Sequence, residues 1–149
     1  MADKGKLGAR YEFDWLVERG KIAEFVEAVG DHDPICRDPE AAGQKGLRDI
    51  VAPPTFTTVP VMWSGALFKA FDDLGIPLSH IMHAEQSYEF FREIYPGDVL
   101  HGTMEIKSIT AREGKSGPME FVLLETTFTN QHRERVVREQ ILIVETKGS

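Results

Sequence analysis

Val59, Met62, Trp63, Ala66, Leu67, Ala70, Phe71 and Leu74 recur at three- and four-residue intervals, the strongest periodicity in the chain. An apolar stripe that runs for more than four turns has to be covered by other structure, so the spacing predicts one long, largely buried helix. Pro60 is tolerated only near its start, where its missing amide hydrogen breaks no intrahelical bond. Thr57 or Thr58 is placed to cap it, and Asp72 to Pro77, with Gly75, supplies a stop. Acidic residues in the last turn oppose the helix dipole at a small cost.

What covers the stripe follows in the sequence. Runs favouring strands cover His80 to Ile94, Val99 to Ala111, Met119 to Thr129 and Val136 to Thr146, separated by turns at Tyr95 to Asp98, Glu113 to Pro118 and Asn130 to Glu134. In the second run Leu100, Gly102, Met104 and Ile106 alternate with His101, Thr103, Glu105 and Lys107, giving one face to the core and one to water. Tyr11 to Val17 adds a short edge strand. Ile22, Phe25, Val26 and Val29 mark a short amphipathic helix that Gly30 ends. A helix followed by a meander makes an α+β fold in which an antiparallel sheet wraps one long central helix. With 149 residues there is room for one such domain, spanning 1–149. One helix leaves sheet edges open, and dimerisation is a direct way to protect them.

Seventeen basic against twenty-four acidic residues give a net charge of −7, which leaves no positive field for nucleic acid or anionic lipid. No stretch approaches the roughly 20 apolar residues of a membrane-spanning helix, and the polar first ten residues lack an apolar run, so a cytoplasmic protein is expected. Cys36 is the single cysteine, which excludes an intrachain disulfide and a cysteine-rich metal site.

The loop from Gly30 to Ala42 carries the chemistry: Gly30-Asp31-His32-Asp33-Pro34-Ile35-Cys36-Arg37-Asp38-Pro39-Glu40-Ala41-Ala42, with a helical turn expected at Pro39 to Gln44. This stretch resembles the MaoC-like dehydratases and (R)-specific enoyl-CoA hydratases of the hot-dog fold, whose motif runs Gly-Asp-x-Asn-Pro-(Ile/Leu)-His-x-Asp-Pro-x-x-Ala. Asp31 falls on the family's catalytic aspartate and Cys36 where its catalytic histidine belongs. Leu47 to Phe56 and His83 to Phe90, leading to Pro96-Gly97-Asp98, extend the match in the family's order. The wording before the long helix is closest to the amino-terminal, FAS1-like dehydratase half, in which the histidine is commonly replaced.

The resemblance implies a subunit acting on an acyl-CoA or acyl-carrier-protein thioester, without cofactor, as a homodimer or as a heterodimer with a catalytic MaoC-like subunit. Adding water to an enoyl thioester requires a base for the water, an acid for the α carbon and donors for the carbonyl oxygen. Asp31 is the candidate base. Pro54, Thr55 and Phe56 form the substrate-binding segment before the helix, where backbone amides can donate but Pro53 and Pro54 cannot. His83 matches a family position near the substrate. Cys36 has neither the pKa nor the second nitrogen of an imidazole, so the chain alone is expected to be a poor hydratase.

Other readings stay open at each position. Asp31 serves equally as a cap for the following turn, and Cys36 as a small buried hydrophobe. His32 is a conceivable substitute imidazole, and His83 an ordinary strand residue. His80 and His83 alone do not make a metal site, and none is expected. The Met62, Trp63 and Phe71 stripe reads as core packing. Arg37, Lys45 and Arg48 are candidates for a coenzyme A phosphate. A hot-dog thioesterase using Asp31 without histidine, and a non-catalytic thioester-binding subunit, are the competing functions.

Overall fold

Alternation in the long carboxyl-terminal runs decides which sheet face meets the core. The computed structural model describes residues 1–114 and 117–146. Its strands are β1 (Arg10–Leu16), β2 (Ile81–Phe90), β3 (Val99–Gly114), β4 (Gly117–Thr129) and β5 (Arg135–Thr146), antiparallel throughout and in the order β1-β3-β4-β5-β2. Leu100, Met104 and Ile106 of β3, Val122, Leu124 and Phe128 of β4, and Val137 and Ile143 of β5 are buried on the inner face. Burying each such side chain contributes roughly 1.5–3 kcal/mol. Gly102 is part of that face because a Cβ there would stand 2.5 Å from the Phe13 ring. Phe13 fills the space and packs edge-on against Phe128, with ring centroids 5.8 Å apart.

The predicted single helix is two: α3 (Thr58–Trp63) and α4 (Ala66–Leu74). Gly65 separates them with a φ of 80°, a left-handed conformation that resets the phase of the stripe. Past the break Ala70, Phe71 and Leu74 are buried as the periodicity requires. Before it, Met62 and Trp63 turn outward; Trp63 is 75% exposed and lies beneath the Lys21 ammonium. Placing those two in the core was therefore incorrect, since a uniform 3.6-residue period does not hold across Gly65. Pro60 is the third residue of α3, where its lack of an amide hydrogen is harmless. Asp73, which opposes the dipole of α4, accepts from Tyr11 Oη at 3.0 Å and Lys69 Nζ at 3.3 Å.

The remaining helices are α1 (Arg19–Val29), ended by Gly30 in the left-handed region, and α2 (Pro39–Gln44), whose first turn is capped by the Asp38 carboxylate. Strand β2 ends at Phe90 instead of Ile94. There the amides of Phe91 and Arg92 both donate to the Val136 carbonyl and the chain leaves the sheet. The centre of the turn expected at Glu113 to Pro118, residues 115 and 116, lies outside the described residues.

Candidate active site

Short side-chain caps shape the loop after α1. Asp31 Oδ1 accepts from the Asp33 amide at 2.9 Å, and Asp33 Oδ1 accepts from Ile35 at 3.1 Å, opening a 3-10 turn over Pro34–Cys36. Arg37 donates back to the Asp31 carbonyl from Nε and Nη2, closing the loop on itself. Asp31 thus does cap a turn, with one of its two carboxylate oxygens.

Two backbone hydrogen bonds then draw three segments together. The Val51 amide donates to the Ile35 carbonyl at 3.1 Å and the Ala52 amide to Ile94 at 2.8 Å. Between them lies a pocket of about 440 Å³, walled by Asp31, Asp33, Ile35 and Cys36 from the loop, residues 51–57 before α3, Phe90 at the end of β2 with residues 91–94 after it, and Val137 of β5. Phe56 is fixed there by an edge-on contact with Phe25, centroids 5.7 Å apart.

The donor supply of this wall is set by its backbone. Pro53 and Pro54 have no amide hydrogen, and the Phe56 amide is committed to the Pro53 carbonyl at 3.1 Å. Phe56 was expected to donate to substrate through its backbone; that donor is occupied. Among the described residues the Thr55 and Thr57 amides have no partner. Thr55 holds a φ of 72°, a conformation that costs a non-glycine residue about 1–3 kcal/mol and persists where the surroundings enforce it.

Electrostatics decide what Cys36 can do. The side chain is buried, and burial first, then the nearby Asp31, Asp33 and Glu93 carboxylates, push its thiol up to about 11, with Arg37 opposing. A nucleophilic cysteine needs the opposite surroundings. Asp31 and Cys36 share the pocket, but the Cys36 thiol, raised to about 11, does not exchange protons at neutral pH.

The structure brings Asp31, Cys36, Pro54, Thr55 and Phe56 to one pocket and leaves His83 elsewhere. His83 is exposed on β2 opposite Ile143, seven residues from Phe90, or roughly 23 Å along the strand. His32 is exposed and lines no part of the pocket. Arg37 is engaged by Glu27 and the Asp31 carbonyl, and Arg48 by Asp98 at 2.9 Å while stacked 4.0 Å over Tyr95. Neither they nor Lys45 reaches the wall. Arg92 does, beside Glu93, and pairs with Glu134 at 3.0 Å. A strand reading that runs on to Ile94 hides Phe91 and Arg92, and Phe90 ends β2 itself; their one signal is the charged break Arg92-Glu93 before the Pro96-Gly97 turn. No three His, Cys, Asp or Glu side chains among the described residues are grouped to hold a metal, and no helix is long and apolar enough to cross a membrane.

Comparison with known proteins gives the same region a wider context. Residues 8–139 match the model of the FAS1-like dehydratase domain region. A UPF0336 protein of Saccharopolyspora erythraea is 39% identical over 98 residues, which cover 66% of this chain and 63% of that protein. Among solved structures, a MaoC-like dehydratase superposes with a TM-score of 0.84 at 30% identity, covering 97% of this chain and 43% of that one. A chain of the HadBC complex of Mycobacterium tuberculosis, described as 3R-hydroxyacyl-ACP dehydratase, superposes with a TM-score of 0.79 at 25% identity, covering 93% and 96%. The folding pattern of this chain is therefore the hot-dog fold, as the resemblance of its loop motif implies.

Proposed function

Since the chain belongs to the FAS1-like dehydratase domain family, we propose that it is one subunit of an (R)-specific enoyl-thioester hydratase, the reverse reaction being dehydration of a 3-hydroxyacyl thioester. It keeps the pocket and the carboxylate and relies on a partner subunit for a complete aspartate-histidine pair. The observation that carries this is the company of Asp31: a pocket with Cys36 at its side, unpaired amides at Thr55 and Thr57, and no histidine among the described lining residues.

In hydration a base takes a proton from water as its oxygen bonds to C3. The double-bond electrons move onto the thioester carbonyl, and an acid returns a proton to C2. In this reading Asp31 makes the first transfer and the two amides receive the carbonyl oxygen. Cys36, held neutral, cannot share the water as an imidazole does. The subunit then serves mainly to bind the acyl chain of a coenzyme A or carrier-protein thioester.

The open edge strand β2 supports association. Met82 and Phe90 on β2, and Trp63 and Phe68 on the helices, are large apolar side chains left exposed in the single chain. Co-expression with a related domain carrying Gly-Asp-x-Asn-Pro-x-His intact should yield a complex that hydrates crotonyl-CoA, at least about a hundredfold faster than this chain alone. An isolated chain as fast as the pair would contradict the proposal.

The unpaired amides beside a carboxylate without histidine also suit a thioesterase. Release of free coenzyme A from acyl-CoA by the purified chain decides for that alternative. Thioester binding without turnover, alone and with the partner, would indicate a non-catalytic subunit.

A further inference from the structure

Glu139 sits on the inner face of β5, two residues beyond Val137 of the pocket wall, with no exposed surface. Tyr88 of β2 and Thr126 of β4 stand opposite it. Its Oε2 accepts from Thr57 Oγ1 at 2.5 Å. Its Oε1 is buried and has no partner among the described residues. Burial raises its carboxyl to about 7, with the Thr57 hydrogen bond opposing.

Packing gives no reason for a carboxyl there. Val137 and Ile141, its neighbours on the same face, are apolar, and an apolar side chain would avoid the cost of an empty buried oxygen. A buried carboxyl with one oxygen unpartnered beside a pocket points to a task at the pocket. Thr57 shows what the task is. It occupies the capping position of α3, yet its hydroxyl makes no cap and turns to Glu139 instead. Its amide is unpaired, it lines the pocket, and it follows the strained Thr55 by two residues. The Thr57–Glu139 bond, with Thr58 Oγ1 to Tyr88 Oη at 3.1 Å beside it, ties this turn to the sheet.

We propose that Glu139 is a positioning residue: through the Thr57 hydroxyl it fixes the turn so that the Thr57 amide is held to donate to the carbonyl oxygen of a bound acyl thioester. This rests on the pocket being the thioester site. Burial, by raising this carboxyl, reduces the negative charge it sets near an oxygen on which charge develops.

The test is infrared difference spectroscopy of crotonyl-CoA labelled with carbon-13 at the carbonyl, bound to the full chain, with affinity by calorimetry. The wild type should shift the carbonyl stretch below that of free crotonyl-CoA. Glu139→Gln, which keeps an acceptor for Thr57, should retain the shift. Glu139→Leu and the isosteric Thr57→Val should lose most of it and bind about fivefold more weakly. Thermal melting verifies folding, and Thr57→Val serves where Glu139→Leu does not fold. Folded Glu139→Leu or Thr57→Val protein with the wild-type shift and affinity would overturn the positioning role alone. A wild type that binds no crotonyl-CoA, alone or with a partner, would overturn the thioester pocket and this role together.

Discussion

Cys36 stands in the same pocket wall as Asp31, five residues along the chain, and that carboxylate helps to raise its thiol instead of activating it. On the proposed hydratase reading, the pair takes the places of an acid-base dyad without being able to work as one. Burial reinforces the effect, since a thiolate there would be desolvated among carboxylates.

The first consequence is chemical inertness. With a pKa of about 11, only about one thiol in a thousand is ionised at pH 8. Iodoacetamide should label the native chain far more slowly than the unfolded one, and faster with each unit of rising pH. Native-state labelling at the rate of an ordinary exposed thiol would contradict the described surroundings of Cys36.

Glu139 makes stability depend on pH in the direction opposite to ordinary acid denaturation. Its folded pKa, about 7, lies above the unfolded 4.5, so the folded state holds the extra proton between those values. Its contribution is complete below pH 4.5 and is lost as pH rises through 7, by up to about 3 kcal/mol. Asp49, Asp73 and Glu105 have lowered values and lose their contributions as pH falls instead. Urea titrations of wild type and Glu139→Gln from pH 4.5 to 8 should show a difference that changes across this window. A constant difference would contradict the buried, raised carboxyl.

Gly102 should not accept a methyl group. A Cβ at 2.5 Å from Phe13 forces the ring to move, and Gly102→Ala is expected to cost about 1–3 kcal/mol in denaturant unfolding. Combining it with Phe13→Leu should cost less than the two changes summed, because they compete for one space.

Much of this architecture was legible in the residues. Alternation from Leu100 to Lys107 gave the inner face of β3, and Gly30 the end of α1, because both signals are local. The two-helix break was not, since Gly65 inside an apolar stripe does not announce its positive φ. The loop motif brought Asp31 and Cys36 to the pocket with Pro54 to Phe56, but the distance of His83 from it depends on how far β2 runs before leaving the sheet. Glu139 was invisible for a different reason: in an alternating strand with glutamates and arginines, nothing local marks which charge faces inward.

Hydration of crotonyl-CoA by the isolated Cys36→His chain tests the central claim most directly. Replacing a buried thiol by an imidazole costs about 1–3 kcal/mol of packing, so melting must first verify that the variant is folded. With Asp31 already in place, the new pair should hydrate at least about a hundredfold faster than the wild-type chain, and Asp31→Asn in the same chain should abolish the gain. A folded Cys36→His protein no faster than wild type would contradict the claim that this pocket is a hydratase site lacking only its imidazole.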